Sequence, residues 1–358
     1  MIGFQYFLLD IYYGEMMVVI NARFLTQNIT GVQRFAIEIS KKIKRLNGGD
    51  VKFVCPNNIV NKDLAKELNV EVIGVRTGHL WEQIDLPMYL KRINSPLLLN
   101  LANTAPLFYN NKVVTVYDLA FKHHSEWFSK KFSVFYNFLI PRILKSSRHI
   151  FTDSNYVKED ISKTYGIRSD KITTVYGSSS DVFVNRNVQK DNYVLAVGSI
   201  EPRKNLVSLI SIFATLDYRL IIVGQKNKVF SALEIDELPE NIKFTGYVSD
   251  DRLVELYNEA SLFVYPSFFE GFGIPPLEAQ ACGCPVIVSN VTSLPEVFRT
   301  SAVYCDPFDI QDLSNKIQLV MNDEAMRTDL MNRGLNNVKR FSWEMSAKII
   351  SGTIEKFK

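Results

Sequence analysis

The sequence predicts an α/β protein made of two doubly wound parallel-sheet lobes that face each other across a cleft. Three observations carry this prediction. Short β-rich runs recur along the whole chain, most of them continuous apolar stretches, as strands buried on both faces of a parallel sheet require. Longer helical patterns separate these runs, and strands alternating with helices make βαβ units whose right-handed crossovers build doubly wound sheets. One polar stretch, from Gly177 to Asp191 with Ser178-Ser179-Ser180 inside it, interrupts the alternation and splits the runs into about seven and then six.

In chain order, the first lobe is expected to use strands at Val18–Ile20, Val51–Cys55, Val70–Val75, Leu97–Leu101, Val113–Tyr117, His149–Thr152 and Ile172–Tyr176. The second is expected to use Tyr193–Gly198, Leu220–Gly224, Ile242–Thr245, Leu262–Tyr265, Val286–Ser289 and Ala302–Cys305. The lobes are then residues 1–182 and 183–340, with 1–15 an extension ahead of the first strand and 341–358 a terminal helix returning to the first lobe. Two Rossmann-like lobes place ligands beyond the carboxyl ends of their strands.

Composition narrows the function classes. A chain of 358 residues that is 47% hydrophobic and 22% charged is neither disordered nor fibrous. Four Cys are too few for a disulfide scaffold, which favours a reducing compartment. No segment reaches the ~18–20 apolar residues that span a bilayer. Met1 to Ile20 is apolar, but it carries Asp10, Gly14 and Glu15 and lacks the basic start of a secretory signal. The expectation is a cytoplasmic protein without a spanning helix. Residues 1–150 hold 19 Lys/Arg against 11 Asp/Glu, whereas the remainder holds 22 against 27. A basic front half suggests an anionic partner: nucleic acid, a membrane surface or a phosphorylated substrate.

The most informative stretch runs from Tyr265 to Ala279. Glu270 falls in the loop after a strand, and Glu278 falls near the first turn of a helix that starts at Pro275-Pro276 and ends around Gly283. Gly271 and Gly273, with Phe272 and Ile274 beside them, let backbone approach a ligand, and free N–H groups at a helix start favour a phosphate. The loop thus offers a carboxylate for hydroxyl groups, an anion-binding amide cluster and a second carboxylate. The plainer reading, a capped helix after a glycine turn, does not explain why these features coincide.

This segment closely resembles the Glu-x7-Glu signature of retaining glycosyltransferases of family 4, which have the two-lobed GT-B fold. The resemblance covers nearly the whole chain from about Val18 and extends to bacterial mannosyltransferases of surface-polysaccharide (O-antigen or capsule) synthesis. Val197-Gly198-Ser199-Ile200-Glu201-Pro202-Arg203-Lys204-Asn205 resembles the family's strand-to-helix basic motif. Gly246-Tyr247-Val248-Ser249-Asp250 is similar to its nucleotide-side loop, and Thr30-Gly31-Val32-Gln33-Arg34-Phe35 to its N-terminal glycine loop. The resemblance implies that Arg203 and Lys204 clamp the donor diphosphate, where cations stabilise the charge of the leaving group. It implies that Glu270 holds the transferred sugar, Glu278 the ribose hydroxyls, and Tyr247-Val248 the base. Gly31 would let the chain pass close to the phosphates, and Arg34 would either add positive charge or lie on a helix surface.

Two positions depart from the family pattern. Ser199 stands where many relatives have Arg, which shifts phosphate binding onto Arg203 and Lys204. Tyr117 stands where relatives often have His, while Asp118 beside it either orients the acceptor, acts as a base or caps a turn. The resemblance further implies front-face attack, with the leaving phosphate taking the acceptor's proton, rather than a carboxylate pair flanking the bond.

No metal or other cofactor is expected. His79, His123, His124 and His149 are scattered, and Cys282-Gly283-Cys284 has no second ligand pair. Between Trp127 and Arg148, Lys130, Lys131, Arg142, Lys145 and Arg148 interleave with Trp127, Phe128, Phe132, Phe135, Tyr136 and Phe138 without an acid. With Lys41-Lys42-Ile43-Lys44-Arg45, this basic aromatic segment is expected either to pack in the core or to touch the inner face of the cytoplasmic membrane. The expected partners are a GDP- or UDP-sugar donor, GDP-mannose first, and a glycan or lipid-diphosphate-linked acceptor, with no nucleic acid. A nucleotide-sugar epimerase on the same architecture is the competing enzyme. A dinucleotide oxidoreductase lacks its glycine fingerprint here, and a mere binding module leaves the two glutamates unexplained.

Overall fold

The computed structural model describes residues 17–198, 201–224 and 239–357. Among these residues, thirteen strands form two sheets in which every pairing is parallel. The first sheet contains β1 (Val18–Asn21), β2 (Val51–Cys55), β3 (Glu71–Val72), β4 (Leu97–Asn100), β5 (Lys112–Thr115), β6 (His149–Thr152) and β7 (Ile172–Thr174) in the order β3-β2-β1-β4-β5-β6-β7. The second contains β8 (Asp191–Val197), β9 (Arg219–Val223), β10 (Ile242–Gly246), β11 (Ala260–Tyr265), β12 (Val286–Ser289) and β13 (Val303–Cys305) in the order β10-β9-β8-β11-β12-β13. Each sheet reverses its winding beside its first strand, between β1 and β4 and between β8 and β11. A crevice opens at such a switch point.

Burial explains why the strands read as apolar runs. β1, β4, β6, β11 and β12 are buried at every position, because helices cover both faces. β3 departs furthest from this pattern. The run Val70–Val75 pairs only at Glu71 and Val72, both exposed on the sheet edge. Gly74 then turns the chain at φ 73°, and the backbone N–H groups of Val75 and Arg76 pass to the Asp85 carboxylate.

The helix Gly31–Asn47 buries Phe35, Ala36, Ile39 and Ile43 on one face, a helical repeat that packs into the first lobe. The terminal helix Trp343–Ile354 starts at Ser342, whose hydroxyl accepts the Met345 N–H, and buries Trp343, Ala347, Ile350 and Ile354 in the same core. Trp343 meets Phe35 edge-on, with ring centroids 5.4 Å apart. This helix therefore packs into the core of the first lobe. Among the described residues, no helix is long and apolar enough to cross a membrane. The possible extension at residues 1–15 and Ser199 lie outside the described residues.

Candidate active site

Between the lobes, where the carboxyl ends of both sheets converge, lies a cavity of about 530 Å³. Every site residue singled out from the sequence lines it: Gly31 and Asp118 from the first lobe, and Arg203, Lys204, Tyr247, Val248, Glu270, Gly271, Phe272, Gly273, Ile274 and Glu278 from the second.

At its floor sits a buried ion cluster. Lys204 Nζ donates to Glu270 Oε1 at 2.7 Å and to the Tyr265 hydroxyl at 2.6 Å. Arg203 Nη1 stands 3.2 Å from Glu270 Oε2 and donates to the Phe269 carbonyl at 3.2 Å. The short 3-10 turn Pro202–Lys204 presents both cations, and Asn205 in the left-handed region at φ 53° ends it. The Glu270 backbone is pinned in turn, since its N–H donates to Thr292 and its carbonyl accepts from Ser293. Burial would raise the Glu270 carboxyl, but Lys204 and Arg203 outweigh it and hold the group below its ordinary value. Asp118 Oδ2 stands 3.9 Å from Arg203, and Glu201 also lies within electrostatic reach of both cations, so acids and bases are packed together along this floor.

The glycine loop continues from Glu270 into the helix Ile274–Ala281. Gly273 takes φ 98°, where a side chain would be strained, and a Cβ there would lie 2.8 Å from Leu294. The amide cluster at the helix start is smaller than the sequence reading implied, because Pro275 and Pro276 occupy its first turn and carry no N–H. The amides that remain are those of the loop and of Ile274. Glu278 is 4% exposed, and Tyr257 donates to its Oε2 at 3.4 Å. Burial pushes the Glu278 carboxyl up to about 7, although Arg34 opposes the shift.

Arg34, expected either to add positive charge or to lie on a helix surface, lines the cleft as a paired charge. It reaches across the cleft to Asp250 with two hydrogen bonds, 2.8 and 3.0 Å, and its Nε lies 3.5 Å from Glu278. Its charge is thus matched within the protein, and the two glycine-containing loops are tied together. A second tie crosses between the lobes: Glu296 accepts the N–H groups of Asn155 and Tyr156 at the start of the helix Asn155–Tyr165, and the Tyr176 hydroxyl.

On the first-lobe wall, Tyr117 does not fill the place of a polar ring. It is buried, packs edge-on to Phe35, and donates its hydroxyl to the Leu101 carbonyl at 2.6 Å. Its own carbonyl faces Gly271, where a Cβ would come within 2.0 Å. Asp118 does cap a turn, its Oδ1 accepting the Ala120 N–H at 3.0 Å, while its other oxygen faces Arg203. A Cβ on Gly31 would meet Ile274 at an ordinary 3.9 Å, so only a ligand in the cleft would limit that position. Tyr247 is 70% exposed at the rim.

Sequence reasoning missed Asp153, which lines the cleft one residue past β6. The signal existed: an acid directly beyond a strand is what drew attention to Asp118. Glu296 carries no such local mark, while Tyr265 and Asp250 stand inside the stretches singled out above with no role of their own. Among the described residues, no three His, Cys, Asp or Glu side chains gather as a metal site would need. The four cysteines are free and buried.

Two doubly wound lobes with this Glu-x7-Glu loop and basic turn at their interface define a glycosyltransferase of the GT-B fold. Residues 178–336 match the family described as glycosyl transferases group 1. The O-antigen chain mannosyltransferase RfbU of Salmonella typhimurium strain LT2 is 30% identical over 365 residues, spanning 95% of this chain and 100% of that one. O-antigen chain mannosyltransferase B of Escherichia coli is 35% identical over 223 residues, 56% of this chain and 58% of its own. In structure, Anabaena HepE in complex with UDP and glucose superposes with a TM-score of 0.75 at 16% identity, covering 95% of this chain and 100% of HepE. The chain belongs to the glycosyl transferases group 1 family.

Proposed function

We propose that this glycosyltransferase moves a hexose, with retention and without a metal ion, from a nucleotide-sugar donor to a growing lipid-linked bacterial glycan. The first choice of donor is GDP-mannose, because both relatives described above are named mannosyltransferases. A UDP-hexose is the second, favoured by the complex of HepE with UDP and glucose.

One observation supports the reading most: Glu270 held by Lys204 and Arg203 at the cleft floor, with Glu278 on the helix that follows. In this reading the diphosphate lies over Arg203 and Lys204, beside the loop amides. The sugar rests against Glu270, the ribose against Glu278, and the base near Tyr247 and Val248. The bond from the anomeric carbon to the terminal phosphate oxygen breaks, and negative charge grows on the phosphate next to the two cations. The acceptor hydroxyl oxygen bonds to the same face of the anomeric carbon, and its proton passes to the departing phosphate oxygen. Asp118 orients that hydroxyl.

A donor panel with NMR detection tests nucleotide, sugar, stereochemistry and metal dependence together. Transfer with a retained anomeric centre, unaffected by a chelator and reduced at least ~100-fold in Glu270→Ala, is expected. An inverted product would sink the retaining assignment, and donor turnover without acceptor would favour the epimerase reading.

The acceptor side also has a surface suited to lipid. In the helix Lys130–Ser146, Phe132 and Tyr136 pack against the core together with Phe128 just before it, so these aromatics are not interfacial. Val134, Phe135 and Phe138 are exposed instead, beside exposed Lys131, Arg142 and Lys145. His79 meets Phe135 at 5.1 Å, which brings the helical stretch 78–92 alongside and adds exposed Leu80, Ile84 and Met88. An apolar face with basic side chains among it suits an anionic membrane surface.

A further inference from the structure

Asp153 is a buried acid to which the reading above gives no task. It lines the cleft and is 6% exposed, and its Oδ1 is closed to solvent without a hydrogen-bond partner among the described residues. A Cβ on Gly271 would stand 3.2 Å from that oxygen, so the side chain lies against the loop that carries Glu270. Native proteins seldom leave a buried polar oxygen unpaired, and one that sits in a cleft wall is placed to take a partner from a ligand.

The neighbours of Asp153 decide which partner it suits. Its charged neighbours are Asp118 in the loop after β5, Glu270 in the glycine loop and Glu296 in the helix Leu294–Phe298, and the Tyr117 phenol lies within electrostatic reach. Glu296 is occupied by its three donors, while Lys204 and Arg203 are engaged with Glu270. Burial, and the carboxylates of Asp118, Glu296 and Glu270, hold the Asp153 carboxyl well above the usual carboxylate range. An ionised carboxylate such as Glu270 can only accept hydrogen bonds, whereas a carboxyl that keeps its proton can also donate one.

We propose that Asp153 is a specificity-determining residue that donates a hydrogen bond to a hydroxyl oxygen of the transferred hexose. This rests on the reading of the chain as a nucleotide-sugar transferase. Glu270 accepts from the hexose and Asp153 donates to it, so the pair fixes which hydroxyls the sugar must present. A hexose lacking or inverting the hydroxyl at Asp153 leaves the acid unpaired and is rejected.

The test uses the full chain and the donor that the panel selects, with Asp153→Ala and Asp153→Asn beside wild type. Asp153→Ala is expected to raise the donor KM about tenfold, leaving the acceptor KM and the calorimetric affinity for the bare nucleoside diphosphate within about twofold. Asp153→Asn keeps a donor group and is expected to recover most of that loss. An unchanged donor KM in Asp153→Ala would overturn the proposal. A change confined to the acceptor KM would overturn the assignment to the transferred hexose, and a parallel loss of nucleoside-diphosphate affinity and thermal stability would mark a structural role. Wild-type protein that bound no nucleoside diphosphate would overturn the transferase reading and this proposal together, a failure seen before any variant is made.

Discussion

Glu270 and Glu278 are both buried, yet their surroundings drive them to opposite protonation behaviour. Glu270 has two cations in contact and stays ionised; Glu278 has one guanidinium, shared with Asp250, and titrates at about 7. If Glu278 holds ribose hydroxyls, its ionised form is the better acceptor, and binding should strengthen as pH rises through about 7. Nucleoside-diphosphate affinity measured by calorimetry should therefore favour wild type over Glu278→Gln by about tenfold above that value, and by little below it. Comparison with the Gln variant cancels the ligand's own phosphate titration. Stability carries the opposite sign. A folded-state pKa above the unfolded one means that the fold binds more protons, so stability falls as pH climbs from the ordinary carboxyl range to about 7. That slope should be missing in Glu278→Gln.

At the scale of elements, the glycine loop is set by its fit to the opposite lobe. A methyl group at Gly271 would collide with the Tyr117 carbonyl at 2.0 Å, so Gly271→Ala must push the loop, and Glu270 with it, away from the cleft floor. Transfer should fall about 100-fold in kcat, because small displacements at a reacting centre cost that much. A thermal scan should show a loss of a few degrees, consistent with ~1–3 kcal/mol of overpacking. This collision is invisible in the sequence, which marks Gly271 only as half of a Gly-x-Gly. What sequence does carry is local pattern. Buried parallel strands appear as apolar runs, and the chemistry of one loop appears as two glutamates eight positions apart. Contacts between distant residues leave no such trace: Arg34 and Asp250 are 216 positions apart, and Asn155 and Glu296 are 141 apart. The helix Lys130–Ser146 shows a further limit. Its aromatics fall on both faces, so periodicity alone could not separate Phe132 and Tyr136, which pack inward, from Phe135 and Phe138, which face out.

For the whole molecule, the division of charge found in the sequence acquires a location. The excess of Lys and Arg in residues 1–150 includes the exposed side chains around Phe135 and Phe138, while the cleft floor draws its cations from the more acidic second half. Co-sedimentation with vesicles containing anionic lipid should therefore exceed that with neutral vesicles, fall with added salt, and drop several-fold on charge reversal at Lys130 and Lys131. Sedimentation indifferent to lipid charge would rule against membrane contact through this face. The helix Trp343–Ile354 bears on how the two lobes depend on each other. Trp343, Ala347, Ile350 and Ile354 close the core that begins at Val18, so the first lobe is built from chain on both sides of the second. Without them the apolar face of the helix Gly31–Asn47, with Phe35 at the contact, is uncovered. The wholeness of the basic lobe thus hangs on a stretch that the chain reaches only after crossing the other one.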